Sequence, residues 1–442
     1  MRPTIPQGTR DFNPQQVIRR RYIINIIEET YKKYGFMPIE TPSFENLTTL
    51  TGKYGEEGDQ LLFKILRNGD FLQKVKTPDD YKKMAFEICE KGLRYDLTVP
   101  FARYVVMHQN EITFPFKRYQ IQPVWRGDRP QKGRYQEFYQ CDADVVGSNA
   151  LINEVELLQI IDEVYTRLNL NVVIKINNRK LLAALSEVAQ IPEKLIDMTV
   201  AIDKLDKIGL EGVVKELEKR EFSGFAIDTI TQVLACKTIP ELERLLGDNE
   251  QGKLGIAEMN EILAMVNLAP LNNVLELDFT LARGLSYYTG TIIEVKAADV
   301  VMGSLNGGGR YDNLTGLFGL PNLSGVGISF GLDRVYDVLD ELNLFPSDAE
   351  QNVKLLFVSF DKTTYLHAFQ LLQQVRKKGI SAELYPDSSK IKKQMQYAND
   401  RQIPFVAIIG EEEVANNQIS LKNMLEGLQS KVSIEELILQ LG

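Results

Sequence analysis

The stretch PFKRYQIQPVWRGDRPQKGRYQEFYQCDADVVG, residues 115–147, places two strand candidates on either side of a basic loop. Residues 115–126 and 137–147 are rich in aromatic and β-branched side chains, which favours extended backbone. We therefore predict a β-hairpin with a long loop. Residues 117–134 contain six basic side chains and one acidic one, so this segment is either a solvated charged loop or a loop that binds an anion.

The hydrophobic pattern on either side of this hairpin predicts helices and strands in a mixed order. Apolar residues recur at helical spacing in 17–35 and 149–168, while 61–67 and 172–177 are typical of strands. Residues 179–267 change to a purely helical pattern, and strand signals return afterwards. From 353 the pattern alternates between strand and helix, as in a small α/β domain. We predict a large domain in two parts, 1–178 and 268–342, a helical insertion at 179–267, a linker at 343–352 and a second domain at 353–442.

Composition restricts the chemistry that the 442-residue chain can use. No apolar run is long enough for a membrane span, and the N-terminus does not resemble a secretory signal. Three widely spaced cysteines favour a reducing compartment, so we predict a cytoplasmic protein that does not bind membranes. The chain has only two histidines and no Cys/His cluster, which argues against a zinc site or a Ser-His-Asp triad.

Four arginines stand in or beside predicted strands, namely Arg126, Arg134, Arg283 and Arg334. Each one alone could form a structural ion pair, but together they suit a polyanion such as a nucleoside triphosphate. Asp96 and Asp144 could be solvated, could pair with these arginines, or could hold an amine on a substrate. The glycines of NGGGRYD (306–312) match neither a dinucleotide fingerprint nor a P-loop, and alone they are more typical of a turn or bulge.

The combined motifs closely resemble those of one enzyme family. The segments are LRYDLTVPFARY (93–104), WRGDRPQKGRYQEFYQCDADVVG (125–147), LARGLSYYTGTIIEV (281–295), NGGGRYDNL (306–314) and GVGISFGLDR (325–334). The arginine-bearing strand and the terminal GxGxxxGxxR pattern resemble class II aminoacyl-tRNA synthetases, and RGLxYYTG with GGGRYD resembles histidyl-tRNA synthetases. This resemblance implies an α+β fold: a six- or seven-stranded antiparallel sheet flanked by helices, the helical insertion, and a C-terminal α/β anticodon-binding domain. It also implies a homodimer.

The resemblance further implies a reaction and a set of site residues. Histidine would react with ATP to give histidyl-adenylate and pyrophosphate, and would then pass to the 3′ end of tRNA(His). ATP would enter with Mg²⁺ as a substrate complex, with no tightly bound organic cofactor and no metal held by the protein. The catalytic residues would be Arg126 and Arg283, and the residues that bind ATP would be Arg126, Arg134, Arg283 and Arg334. The residues that bind histidine would be Asp96, Thr98, Gln140, Asp144, Tyr287 and Tyr288. The tRNA acceptor end would meet Arg129, Gln131 and Lys132.

One position departs from the family pattern. Ser286 stands where members of the family usually have Asp, so a carboxylate expected beside Arg283 is missing.

A protein with a different function has a similar sequence. This alternative is a synthetase-like regulatory subunit of ATP phosphoribosyltransferase that has no ligase activity. That paralogue resembles only the catalytic core, whereas this chain continues into a C-terminal domain and contains all four arginines.

Overall fold

The computed structural model describes residues 2–52, 55–73, 75–77, 79–282, 287–346, 353–387 and 389–442. The chain forms two compact units, Met1–Phe345 and Pro346–Gly442. Each unit makes most of its contacts within itself.

The first unit combines eleven described strands with thirteen described helices. The strands are β1 (Met37–Pro38), β2 (Phe44–Asn46), β3 (Lys64–Leu66), β4 (Cys89–Leu93), β5 (Phe116–Trp125), β6 (Glu137–Val146), β7 (Val172–Asn178), β8 (Val274–Leu277), β9 (Thr291–Ala297), β10 (Asn306–Tyr311) and β11 (Gly325–Gly331). The helices are α1 (Pro14–Lys33), α2 (Leu47–Leu50), α3 (Gly55–Gln60), α4 (Tyr81–Ile88), α5 (Thr98–Met107), α6 (Ile152–Arg167), α7 (Arg179–Val188), α8 (Leu195–Ile202), α9 (Leu205–Lys219, kinked at Gly209), α10 (Gly224–Ala235), α11 (Ile239–Leu246), α12 (Glu250–Leu268) and α13 (Leu332–Glu341).

Eight of these strands form one sheet in the order β1-β5-β6-β11-β10-β9-β7-β8, and β2, β4 and β3 form a small second sheet. The six central strands of the large sheet are antiparallel, whereas the edge strands β1 and β8 pair in parallel with β5 and β7. The antiparallel sheet predicted from the sequence is confirmed. Its strand number exceeds the expected six or seven because two short edge strands extend it.

The period of two along β6 gives the sheet two different faces. Cys141, Ala143 and Val145 share a hydrophobic core with residues of α1 and α6. The residues between and before them, Gln140, Asp142 and Asp144, are polar and point to the opposite face. The predicted hairpin is present as β5 and β6, which pair from Phe116↔Val146 to Trp125↔Glu137.

The segment predicted as a helical insertion contains α7 to α12, and all of its residues are described. Helix α12 packs on α7 and α6. Its buried side chains belong to the same hydrophobic cluster as those of the large sheet, including Met259 of α12 and Ile174 of β7. These helices therefore continue the core of the first unit.

The glycine triplet lies within strand β10, so the expectation of a turn or bulge is wrong. A Cβ atom on Gly309 would lie 2.5 Å from the carbonyl oxygen of Thr291 and 3.0 Å from the Tyr288 ring. Only a residue without a side chain fits there, because real Cβ atoms do not approach other atoms so closely. The glycine therefore lets the Tyr288 ring lie directly on the strand.

The second unit has an α/β fold of its own. A five-stranded sheet has the order β13-β12-β14-β15-β16, with the first three strands parallel and the remaining pairs antiparallel. Its strands are β12 (Leu355–Ser359), β13 (Ala382–Leu384), β14 (Phe405–Ile409), β15 (Ile419–Asn423) and β16 (Gln429–Val432). Its helices are α14 (Lys362–Lys377), α15 (Ile391–Asp400), α16 (Glu411–Asn416) and α17 (Ile434–Leu441).

A buried ion pair ties the centre of the large sheet to helix α6. The guanidinium of Arg310 in β10 donates to both carboxylate oxygens of Glu154, over 2.6 and 2.7 Å, and both side chains are almost fully buried. The same guanidinium donates to the Ser324 hydroxyl over 2.5 Å. Two-point pairing of this kind fixes the orientation of both groups.

Replacing Arg310 by methionine should destabilise the first unit by about 3–5 kcal/mol, because the Glu154 carboxylate would remain buried without its cation. Urea unfolding of the full chain followed by fluorescence measures this effect in the first unit alone, since Trp125 is the only tryptophan. The matched control is Lys253→Met, which breaks an exposed pair with Glu250 and should change stability by less than about 1 kcal/mol. Equal effects of the two substitutions would contradict the structural role of Arg310.

Candidate active site

A cavity of about 270 Å³ lies on the polar face of the large sheet, within the first unit. It brings together most of the residues that the sequence singled out. Those that line it are Asp96, Thr98, Arg126, Arg134, Gln140, Tyr287, Tyr288 and Arg334. They come from distant parts of the chain, so the fold creates the constellation.

Basic side chains dominate part of the cavity lining. Arg126, Arg134 and Arg334 all line it; of the acidic residues beside them, Asp128 pairs with Arg134 over 2.8 Å, and Asp333 pairs with two other arginines. Burial lowers the pKa of Arg334, and the nearby charges of Arg126 and Arg134 lower it further. Because Asp333 is already paired, the three lining guanidinium groups leave an excess of positive charge, which a polyphosphate would neutralise.

Backbone oxygens and aromatic rings hold these arginines in place. Arg334 donates to the carbonyl oxygens of Gly133 over 2.8 Å and Ser304 over 2.7 Å. Arg126 donates to the carbonyl of Tyr95 over 3.0 Å, and its guanidinium carbon lies 4.2 Å from the centre of the Tyr95 ring. The Phe138 ring is 5.2 Å away. Both arginines are thus oriented before any anion arrives, which favours tight binding.

An acidic side chain, that of Asp96, also lines the cavity. Asp96 is buried, and its Oδ1 accepts a hydrogen bond over 3.1 Å from the Val99 amide at the start of α5. Thr98 begins this helix and also lines the cavity. An anionic group at a helix start is stabilised by the helix dipole. This arrangement keeps the Asp96 carboxylate fixed at the cavity wall.

Asp144 does not line the cavity, although it was predicted as a histidine-binding residue. Its Oδ1 accepts a hydrogen bond of 2.6 Å from the Tyr311 hydroxyl, and its Oδ2 lies 2.7 Å from Nη2 of Arg118. Arg118 is fully buried. Burial raises the pKa of Asp144, while Arg118 and Tyr311 oppose that rise. The carboxylate therefore lies behind the cavity wall with a partner on each oxygen.

Two tyrosines connect Asp144 to the cavity. The Tyr287 and Tyr288 rings meet edge to face with their centres 5.0 Å apart, and Tyr287 makes a similar contact with Tyr311. Burial raises the pKa of Tyr288 above its usual range, and the charges of Asp144, Asp142 and Asp96 raise it further. The Tyr288 phenol is therefore neutral and can donate a hydrogen bond.

A third aspartate, Asp142, was overlooked in the sequence. It lies between Gln140 and Asp144 on the same face of β6, and only 1% of its surface is exposed. Burial and the charge of Asp144 raise its pKa to about 7, against the opposing effects of Arg118 and Ser329. The signal for Asp142 was present in the sequence, because residues two apart on a strand share a face.

Three described residues that were predicted to meet the tRNA lie outside the cavity. Arg283, which was also predicted for function, falls outside the described residues, as does Ser286. Arg129, Gln131 and Lys132 are exposed and do not line the cavity. A tight loop places them at the surface: Gln131 and Arg134 exchange backbone hydrogen bonds of 3.1 and 2.9 Å, and Lys132 pairs with Glu341 over 2.9 Å.

The described part of the chain has neither a cluster of metal-binding side chains nor a helix that could span a membrane. Those residues contain no group of three or more His, Cys, Asp or Glu side chains that could hold a metal ion together. None of the described helices is both long and apolar enough to cross a membrane.

Comparison with known proteins identifies the family. A family profile described as histidyl-tRNA synthetase matches residues 87–335, and one described as anticodon binding domain matches residues 354–441. The histidine–tRNA ligase of Bacteroides fragilis is 55% identical over 446 residues, which cover 99% of this chain and 98% of that protein. The crystal structure of histidyl-tRNA synthetase from Nostoc sp. PCC 7120 superposes with a TM-score of 0.86 at 30% identity, over 100% of this chain and 99% of the other.

The fold and the site together define a class II aminoacyl-tRNA synthetase: an antiparallel sheet bears a cavity lined by fixed arginines and by acidic groups. Within that class, the chain belongs to the histidyl-tRNA synthetase family. The family predicted from the sequence motifs is thereby confirmed, as is the prediction of an ATP-dependent aminoacyl-tRNA synthetase.

Replacing Asp142 by asparagine should stabilise the first unit at pH 8, because the folded state then no longer holds a buried charge beside Asp144. A carboxyl pKa near 7 in place of about 4 corresponds to at most roughly 4 kcal/mol. The sign follows from proton binding: between pH 7 and about 4 the folded wild type binds a proton that the unfolded chain does not. The advantage of the variant should therefore shrink as the pH falls through this window.

Urea unfolding followed by Trp125 fluorescence at pH 8 and pH 5 measures this difference. The control is Asp248→Asn at an exposed position, which should have little effect at either pH. An Asp142→Asn variant that is less stable than wild type at pH 8 would refute the buried-charge account.

Proposed function

We propose that this chain is a histidine–tRNA ligase that works in two steps. A carboxylate oxygen of L-histidine attacks the α-phosphorus of ATP, the bond to the β-phosphate breaks, and histidyl-adenylate and pyrophosphate form. A ribose hydroxyl at the 3′ end of tRNA(His) then attacks the histidyl carbonyl, and AMP leaves. Mg²⁺ enters with ATP as part of the substrate.

The observation that carries this proposal is a single cavity lined by both basic and acidic side chains. Arg126, Arg134 and Arg334 line it together with Asp96. An amino acid offers an ammonium group and a carboxylate, and ATP offers a chain of phosphates. Such a cavity can hold the ammonium against the acids while it directs the carboxylate toward a phosphate among the arginines, and charge stabilisation of this kind is usually the largest catalytic effect.

Each arginine is assigned a part in the first step. Arg126 binds the α-phosphate and stabilises the charge that develops there. Arg134 and Arg334 hold the distal phosphates and the nucleotide. For Arg283 the family resemblance alone supports a role, in which it bridges the α-phosphate and the carboxylate of histidine.

The histidine side chain is assigned to the tyrosine-rich end of the cavity. Asp96, Thr98 and Gln140 hold the ammonium and carboxylate groups, and Tyr287 shapes the pocket. Tyr288 and Asp144 take the two imidazole nitrogens, since a phenol and a carboxylate satisfy one donor and one acceptor. A carboxylate has about four acceptor positions, so Asp144 can accept from imidazole while Arg118 and Tyr311 hold it. Amino acids without these polar atoms would be rejected by about 10⁴-fold or more.

The remaining assignments concern tRNA, assembly and location. The exposed loop residues Arg129, Gln131 and Lys132 meet the acceptor end of the tRNA, and residues 353–442 bind its anticodon loop. We further propose a homodimer and a cytoplasmic location. The three cysteines are free thiols, as a reducing compartment requires. Sedimentation of the purified chain tests the dimer directly.

The regulatory-subunit alternative has weaker support. A structure from Bacillus halodurans described as an ATP phosphoribosyltransferase regulatory subunit/histidyl-tRNA synthetase superposes with a TM-score of 0.73 at 20% identity, over 92% of this chain and 97% of the other. A likeness at that identity concerns the fold alone. Full-length relatives at 52–55% identity are named histidine–tRNA ligase.

Purified protein should exchange pyrophosphate into ATP with L-histidine alone among the twenty amino acids. In the same assay Arg126→Ala should lower the rate by at least about 10²-fold. Arg126→Lys should recover only part of it, because an ammonium group lacks the planar fork of a guanidinium. Arg244→Ala, at an exposed position on α11, is the control and should exchange normally.

Three results would count against these assignments. Exchange that requires a different amino acid would refute the histidine–tRNA ligase function. So would the absence of any exchange at every histidine concentration. A near-normal rate for Arg126→Ala would refute its role at the α-phosphate.

Replacing Lys390, Lys392 and Lys393 together by alanine should raise the KM for tRNA(His) and leave pyrophosphate exchange unchanged. These exposed lysines belong to a segment, 376–401, that has seven basic and three acidic residues. Each lost phosphate contact should lower the salt dependence of tRNA binding by about one unit of slope. Lys431→Ala, which breaks an exposed pair with Glu412, is the control. An unchanged KM and slope would place the anticodon contact elsewhere.

A further inference from the structure

The side-chain amide of Gln140 is held by the Ser329 hydroxyl at the wall of the cavity. Its Nε2 donates to Oγ of Ser329 over 2.8 Å, and both residues line the cavity. Its Oε1 is buried and has no hydrogen-bond partner within the described residues. A buried carbonyl oxygen without a partner is unfavourable, so this atom is ready to accept a hydrogen bond from a ligand.

Asp142 lies beside Ser329 on the neighbouring strand. The two residues face each other as a register pair between β6 and β11, and a hydrogen bond from the Ser329 side chain helps to lower the pKa of Asp142. Asp142 does not line the cavity, whereas Ser329 does. The contact with Ser329 therefore connects Asp142 to the cavity wall.

The chemistry of the three groups fixes the direction of each hydrogen bond. Above the pKa of Asp142, as at pH 8, its side chain is a carboxylate and can only accept, so Ser329 has to donate its single hydroxyl proton to Asp142. The Ser329 oxygen can then only accept from Gln140, which means that the NH₂ group of the amide turns toward Ser329. The carbonyl oxygen of Gln140 consequently faces the cavity.

We propose that Asp142 and Ser329 are positioning residues that lock the amide of Gln140 with its carbonyl oxygen toward the cavity, where it accepts a hydrogen bond from the α-ammonium group of histidine. The proposal rests on the proposed function, in which Gln140 meets the amino end of histidine. In the reversed orientation the amide would present its NH₂ group to the ammonium, and two donors would meet. We call the chain of hydrogen bonds from Gln140 through Ser329 to Asp142 the relay. It favours a ligand that has a cationic amine at this position.

Two histidine analogues separate this role from a general effect on the pocket. L-Histidinol keeps the imidazole and the α-ammonium but lacks the carboxylate, and imidazole-4-propanoate keeps the imidazole and the carboxylate but lacks the amine. Calorimetric titration of the full chain at pH 8 gives the dissociation constant of each. Ser329→Ala and Asp142→Asn should weaken histidinol binding by roughly 10- to 100-fold, the range for a hydrogen bond to a charged group. Binding of imidazole-4-propanoate should change less than about 3-fold.

Two further variants test the relay itself. Ser329→Thr keeps the hydroxyl and should bind histidinol nearly as wild type does. In the double variant Asp142→Asn/Ser329→Ala the fold-loss of histidinol affinity should be close to that of the weaker-binding single variant. It should not equal the product of the two single fold-losses, because the effects of coupled residues are not additive. Urea unfolding of each variant verifies that the first unit is folded.

The outcomes are distinct. An equal loss for both analogues, no loss for either, or a loss with Ser329→Ala but none with Asp142→Asn would each overturn the relay. A multiplicative loss in the double variant would overturn it as well. If the variants lose affinity for histidinol alone, as expected, and wild type nevertheless fails to exchange pyrophosphate with histidine, the proposed ligase function fails while the relay stands. A wild type that binds neither analogue would overturn both.

Discussion

The buried ion pair between Arg118 and Asp144 is the interaction on which the active site depends. Charges that are removed from water need a well-placed partner, and the loss of one partner is unfavourable by about 3–5 kcal/mol. Here Nη2 of Arg118 and Oδ2 of Asp144 are 2.7 Å apart, and the Tyr311 hydroxyl occupies the second oxygen. Because residues 118 and 144 are a register pair of β5 and β6, the pair also fixes how the hairpin aligns. Because the two buried charges neutralise each other, the central sheet of the unit can have a charged face.

That charged face follows from the period of two along the strands. On β6 the apolar residues Cys141, Ala143 and Val145 face the core with α1 and α6, so Gln140, Asp142 and Asp144 necessarily face the other way. A slip of one residue would place the carboxylates among the helices and the apolar groups in the cavity. The same alternation on β11 turns Ser329 and Gly331 to the cavity and Phe330 to the core. Stability and function therefore select the same register.

The sequence was sufficient to predict the features that are local or periodic. The β5–β6 hairpin, helix α6, the helices of residues 179–267 and the family itself all followed from patterns within short segments. The sequence favoured a turn or bulge at the glycine triplet, because the need for glycine comes from residues outside the triplet: Thr291 on the neighbouring strand and the ring of Tyr288 just before that strand. Arg118 and Tyr311 were overlooked for the same reason: their function is to contact Asp144, a residue distant in sequence. A motif names the residues that meet a substrate, but not those that hold them.

Asp142 illustrates why such supporting residues can be unfavourable for stability and still be retained. Burial and the charges of Asp144 and Asp96 raise the pKa of Asp142 to about 7, against the opposing effects of Arg118 and Ser329. An ammonium group bound beside Gln140 would favour the ionised form of Asp142 and lower this pKa again. The attraction between the two charges would add to the affinity for a cationic amine. A neutral side chain at position 142 would remove this attraction and, with it, part of the preference of the site for an amino acid over its deaminated analogue.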